Sequence, residues 1–182
     1  VFEYTGTEWI LDPGDINNLD DDNDGFVDNL IGWNAHSNEG DIGVNLSLSH
    51  GTNVAGCVSS MTNNETGIAS VGWSIKIMGI TNCDPGGSIT SGYEGILTAA
   101  QMGADIINNS WGSSGGPDYA QALINTVLNE YTSLIVASSG NAGTNIANYP
   151  AAFEGVVSVT STSEGSVFSC WATRHETVDI AA

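Results

Sequence analysis

Between residues 75 and 138 the chain alternates short apolar runs with stretches of helical spacing, which limits the fold more than any other feature. Ile75-Lys76-Ile77-Met78-Gly79-Ile80 reads as a strand. Ser88 to Met102 reads as a helix, because Ile89, Tyr93, Ile96, Leu97 and Ala100 recur on one face, and Gly103 is its stop. Ala104 to Ser110 is the next strand. Pro117 opens a second helix to about Tyr131, with Ala120, Leu123, Ile124, Val127 and Leu128 on one face. Ser133 to Ser138 is a near-continuous apolar strand, as expected of one covered on both faces. Gly155 to Thr160 and Thr177 to Ala181 read as further strands. The alternation predicts an α/β fold, a mostly parallel sheet with helices on both faces. Sites in such sheets lie beyond the carboxyl ends of strands, where Ser110 to Gly112 and Ser139 to Asn141 fall.

The length of 182 residues suits one domain, 1–182, with an acidic, loop-rich segment over 1–47 and an α/β core over 48–182. Two basic residues face 21 acidic ones, for a net charge of −19. Such a surface repels nucleic acid and anionic membrane, and no apolar run has the length of a membrane span. It serves solubility, or it is offset in part by bound cations. The chain opens in mid-phrase at Val1-Phe2-Glu3-Tyr4 and closes at Asp179-Ile180-Ala181-Ala182, so both ends read as cut from something longer. No basic segment followed by an apolar stretch reads as a signal peptide. Cys57, Cys83 and Cys170 have no metal spacing, and the sequence selects no disulfide pair. Cys57 and Cys170 sit among small or apolar neighbours and are expected in the core, as are Trp33, Trp73 and Trp171 at least in part.

Two constellations carry chemistry. His50 precedes Val54 to Ser60, a helix of small residues, and a helix start is a rigid mount for an imidazole that takes and returns a proton near neutral pH. Asn141 follows an apolar strand between Gly140 and Ala142-Gly143, where a carboxamide can donate N–H to a developing oxyanion. His36 and His175 are expected to be solvated. In the acidic segment, Asp20, Asp22 and Asp24 take positions 1, 3 and 5 of a calcium-type loop, with Gly25 at the turn. Phe26 would lend its carbonyl and Asp28 a further ligand. Ile31 stands where an EF-hand has its bidentate glutamate, and flanking helices are missing, so the loop is no EF-hand. Five aspartates between residues 20 and 28 repel one another unless a cation is bound, so Ca²⁺ is expected in preference to a solvated loop. Asp12 and Asp15 could add ligands.

Together these phrases resemble the subtilisin-like serine proteases, or subtilases. The family's His-Gly-Thr-His-Val-Ala-Gly reads here His50-Gly51-Thr52-Asn53-Val54-Ala55-Gly56, its Asn-x-Ser-x-Gly reads Asn108-Asn109-Ser110-Trp111-Gly112, and its Gly-Asn reads Gly140-Asn141. The resemblance implies a subtilisin-like three-layer fold, incomplete at both ends. It makes His50 the general base and acid and Asn141 the oxyanion donor. Ser110, Trp111 and Gly112 would pair with a protein or peptide substrate as a neighbouring strand. Ser138, Ser139 and Gly140 would wall the pocket for the residue before the scissile bond, with Asn148 at its base. Tyr149-Pro150 matches a family Tyr-Pro that is often cis, and Gly86 to Ser91 is placed as the opposite edge strand. Thr62 to Gly67 corresponds in place to a family calcium loop and also reads as a polar turn.

The family order is Asp, His, Ser. No apolar strand followed by Asp-Ser/Thr-Gly precedes His50, and Asp12-Pro13-Gly14 is a poor substitute. No Gly-Thr-Ser follows Asn141. Without that serine no acyl-enzyme forms, so the chain as given is expected to be inactive. The implied function is secreted serine endopeptidase activity, as a monomer, in the full-length protein. The alternatives are a catalytically inactive, peptide-binding subtilase fold and an acidic calcium-dependent interaction module.

Overall fold

The computed structural model describes residues 2–7, 9–11, 16–43 and 49–182. The readings of Asp12 and Asp15 lie outside them. The chain divides into two compact units, 1–95 and 96–182, with the division inside a helix rather than after residue 47. The physical reason is strand pairing, which ties the acidic segment to residues that follow it.

In the first unit β1 (Phe2–Tyr4) pairs antiparallel with β2 (Trp9–Leu11). β3 (Gly32–Asn34) pairs in parallel with β4 (Gly79–Thr81), in register from Gly32 on Gly79 to Asn34 on Thr81. Between these lies α1 (His50–Ser59). The predicted strand over 75–80 shrinks to its last two residues plus Thr81 because Ile75 and Ile77 are exposed, so no face is gained by extending it. Trp33 is buried, and the Phe26 ring meets it edge-on at 5.0 Å between centroids. Trp73 is 75 % exposed, against expectation. It lies in a segment fastened to the end of α1 in part by main-chain bonds: Val71 and Gly72 donate N–H to Cys57 O and Val58 O at 3.0 and 2.9 Å.

The second unit is built on a four-stranded sheet in the order β10-β7-β6-β5, every pair parallel. Its strands are β5 (Ile106–Asn109), β6 (Leu134–Ser138), β7 (Val157–Thr160) and β10 (Ile180–Ala181). β8 (Thr162–Ser163) and β9 (Val167–Phe168) form a small hairpin. α2 (Gly92–Gln101) precedes β5, and Gly103, at φ +82°, ends it as expected. α3 (Ala120–Thr126) runs on into a π-helical turn, Val127–Tyr131, before β6. Helix alternating with parallel strand is the α/β arrangement the sequence predicts.

Hydrophobic burial accounts for this sheet. Ile124, Val127 and Ile135 are fully buried, and each such side chain contributes roughly 1.5–3 kcal/mol. The strands alternate: Ile107, Ile135, Ala137, Ser158 and Thr160 point inward, while Ile106 and Leu134 are exposed. β6 is therefore a strand with one dry face, where its apolar run had suggested two. Asp179 secures the last strand, accepting the Ser158 N–H at 2.8 Å while its own N–H donates to Ser158 O at 3.0 Å.

Cys57 and Cys170 are exposed and Cys83 is half-buried, all three as free thiols. The core reading fails for the first two. α1 buries none of its residues, so the small neighbours of Cys57 cover no core. Cys170 follows the exposed β8–β9 hairpin.

Candidate active site

His50 is the first residue of α1. The helix opens at Ser49, whose carbonyl accepts the Asn53 N–H at 2.9 Å, and the imidazole is exposed. The turn after α1 is fixed, because Ser59 Oγ donates to Ile75 O at 2.9 Å and Ser70 Oγ to Ser60 O at 2.8 Å. Gly86 to Ser91 does not form an extended edge strand. It closes a turn on Asp84, whose Oδ1 accepts N–H from Gly86 and Ser88 at 2.8 and 3.0 Å, while Cys83 bridges Ile89. His36 is exposed but held by Thr90 Oγ1 at 2.8 Å, and His175 is half-buried with Thr177 Oγ1 at 3.0 Å.

The acidic loop brings Asp20, Asp22 and Asp24 together, with one carboxylate oxygen from each within 4.8 Å of the others. Its backbone is wrapped round those carboxylates. Gly25 N donates to Asp20 Oδ2 at 3.0 Å, Asp24 N to Asp20 Oδ1 at 3.1 Å, and Phe26 N to Asp24 Oδ1 at 2.8 Å. Gly25 adopts φ +94°, the turn that favours glycine. Asp28, expected as a further ligand, lies outside this group. Its two oxygens accept the N–H groups of Asn17 and Asn18, each at 3.0 Å.

In the second unit a cavity of about 350 Å³ opens at the carboxyl ends of β5, β6 and β7. Ser110, Ser138, Ser139, Gly140 and Asn141 all line it, together with Asn108, Thr160 and Trp171. Trp111, Gly112 and Asn148 lie outside its lining. Asn148 is tied to the cavity's lining strand, its Nδ2 donating to Ser138 O at 3.2 Å. The bond between Tyr149 and Pro150 is cis.

Asn141 is exposed, while the backbone that carries it is tied down on each side. Ser139 N donates to Val159 O at 2.8 Å and Gly143 N to Trp171 O at 2.8 Å. Thr173, 2 % exposed, holds the centre. Its N–H donates to Gly140 O at 3.0 Å, and its carbonyl accepts Ser139 Oγ and Thr160 Oγ1 at 3.2 and 2.7 Å. Its Oγ1 accepts the Ala142 N–H at 3.4 Å. Gly140, at φ +101°, bends the chain so that Asn141 leaves the sheet. Sequence reasoning missed Thr173. Nothing in Ala172-Thr173-Arg174 announces a residue that organises a loop thirty positions away; only the fold brings them together. Trp171, expected in the core or partly buried, is 48 % exposed at the cavity rim.

The sequence pattern of the Subtilase family matches residues 13–182, almost the whole chain. The chain belongs to the subtilase family. Thermitase from Thermoactinomyces vulgaris is 37% identical over 135 residues, covering 73% of this chain and 48% of that protein. The halolysin-like extracellular serine protease Nep from Natrialba magadii is 32% identical over 187 residues, covering 95% of this chain and 32% of its own length. Among solved structures, a psychrophilic subtilisin-like protease from Pseudoalteromonas sp. AS-11 superposes with a TM-score of 0.65 at 27% identity, over 70% of this chain and 30% of that one. This subtilase chain thus spans about half or less of the length of the relatives it matches. Among its described residues, no helix is long and apolar enough to cross a membrane.

Proposed function

We propose that this chain is the central part of a secreted subtilisin-like serine endopeptidase. A serine supplied outside residues 1–182 would attack a peptide carbonyl, and His50 would take its hydroxyl proton and deliver it to the leaving amine. A second proton transfer through His50 would let water release the acyl group. An aspartate, also from outside this segment, would orient the imidazole. Asn141 would donate its carboxamide N–H to the oxyanion of each tetrahedral intermediate. Ser110, Trp111 and Gly112 would bind the substrate backbone, and Ser138, Ser139, Gly140 and Asn148 would surround the side chain before the scissile bond.

The observation that carries this reading is the cavity at the carboxyl ends of three parallel strands. Ser110, Ser138, Ser139, Gly140 and Asn141, picked out by two separate motifs, converge there. The test is hydrolysis of unfolded protein by the protein with its native flanking sequence, abolished by a serine-directed phosphonylating reagent. Absence of hydrolysis would favour the inactive, peptide-binding alternative. The extracellular setting is supported by the name of the Natrialba magadii relative. The substrate is a protein or peptide and the working form a monomer; a charge of −19 disfavours nucleic acid and anionic membrane as partners.

Asp20, Asp22 and Asp24 fit a hard cation, since all three offer carboxylate oxygens and the loop amides already hold them in a converging arrangement. Ca²⁺ there, completed by the Phe26 carbonyl, would supply charge neutralisation and rigidity rather than chemistry. Calorimetric titration of this chain with Ca²⁺ is expected to show saturable binding, lost in Asp22→Ala and in Asp24→Ala. Asp28→Asn is expected to weaken it less, because Asp28 holds Asn17 and Asn18. Titration heats no larger than those of dilution would remove the site.

A further inference from the structure

The peptide units on either side of the Asn141 α-carbon are both held by one residue. Each peptide unit is planar, so fixing the unit before a residue and the unit after it fixes that residue's φ and ψ. The unit before Asn141 carries the Gly140 carbonyl, which accepts the Thr173 N–H at 3.0 Å. The unit after it carries the Ala142 N–H, which donates to Thr173 Oγ1 at 3.4 Å. Thr173 is itself anchored. It is 2 % exposed, and its carbonyl accepts Ser139 Oγ at 3.2 Å and Thr160 Oγ1 at 2.7 Å, which ties it to the ends of β6 and β7. Glycine at 140 permits this close approach, since a Cβ there would lie 3.2 Å from Thr173 Oγ1.

We infer that Thr173 is a positioning residue for the oxyanion donor: it sets the backbone angles of Asn141, and through them the direction in which the carboxamide points. This deepens the endopeptidase reading and rests on it for the reaction. The two holds differ in kind. The Thr173 N–H is main chain and survives substitution, whereas Oγ1 belongs to the side chain alone. Thr173→Val keeps the shape and removes the acceptor. The Ala142 N–H then turns to water, which exposed Ala142 can reach, and that rotation re-aims the residue before it. An oxyanion donor works from a preorganised position, so the cost falls on the transition state. The ground-state carbonyl depends little on that aim, so substrate binding is spared. Thr173→Ser keeps the acceptor and with it the hold.

The test is a double-variant cycle in the protein with its native flanking sequence. Thr173→Val is expected to lower kcat about tenfold with KM unchanged within about twofold, and Thr173→Ser to recover most of that loss. In the Asn141→Ala background no carboxamide remains to be aimed, so adding Thr173→Val is expected to cost less than about twofold. A merely structural role would lower kcat by the same factor in both backgrounds, and that result overturns the inference. Equal losses in Thr173→Val and Thr173→Ser overturn it too. Thr173→Ala, which also lacks the acceptor, repeats each comparison in case the valine does not pack. A second measurement needs no hydrolysis. In the 182-residue chain, exchange of the Ala142 amide, followed by NMR, is expected to be about tenfold faster in Thr173→Val than in Thr173→Ser. Equal exchange in the two variants overturns the inference. Faster exchange, with no hydrolysis of any protein by the wild type, would support the hold on Asn141 and remove the endopeptidase reading.

Discussion

His50→Ala, made in the protein with its native flanking sequence, is expected to lower kcat by about 10⁶-fold with little change in KM, a magnitude that comes from subtilisin itself and is carried over. The physical reason is that a serine hydroxyl is almost wholly protonated at neutral pH and becomes nucleophilic only as its proton leaves. His50 is exposed at the head of α1, on a helix end that is fastened at its other end, so its ring is free to reach a proton donor. The neutral loss of the imidazole removes the acceptor without disturbing a core, because α1 buries none of its residues. Steady-state hydrolysis of a chromogenic peptide measures the effect, with circular dichroism confirming an unchanged fold. A loss of less than about tenfold would show that His50 is not the base.

The second large effect is expected at Asn141. Asn141→Ala should reduce kcat by about 10²–10³, again the range known from subtilisin, and leave KM nearly unchanged. The split follows from where the donor acts. A ground-state carbonyl needs little stabilisation, whereas the tetrahedral oxyanion carries a full charge, so only the transition state loses binding. The loop through Ser139, Gly140 and Gly143 is held by main-chain bonds to Val159, Thr173 and Trp171, so removing the Asn141 carboxamide should not move its neighbours. A rise in KM with kcat unchanged would make Asn141 a ground-state substrate contact instead. In the double variant with His50→Ala, the two losses should fall short of adding, because both residues serve one step.

Much of the fold could be read from the sequence, and particular residues show why. The strands around Ile107 and Ile135 were plain because their apolar runs sit between helical repeats, and both residues are buried as such runs require. What failed was the second face. An apolar run predicts burial on both sides, yet Leu134 and Ile106 stand exposed on one. Neighbouring residues likewise put Cys57 and Cys170 in the core and Trp73 at least partly inside, but burial depends on what packs over a residue, and local sequence does not say. The site divides the same way. Short phrases place Ser110, Ser139 and Asn141 at strand ends, and in the fold all three line one cavity. Asp28 was read as a ligand from its spacing, whereas its oxygens serve the amides of Asn17 and Asn18, a pairing across a turn that spacing cannot reveal. Thr173 was invisible for the same reason: its role depends on contacts between segments far apart in the chain.

The central claim is that His50 and Asn141 belong to a serine-nucleophile acyl-transfer site. Labelling the protein in its native flanking sequence with a fluorophosphonate, then mapping the adduct by tandem mass spectrometry, tests it most directly. The account predicts one adduct, on a serine of a Gly-Thr-Ser phrase outside residues 1–182, formed rapidly in the wild type and not detectably in His50→Ala. No adduct, or an adduct that forms equally fast without His50, would contradict it.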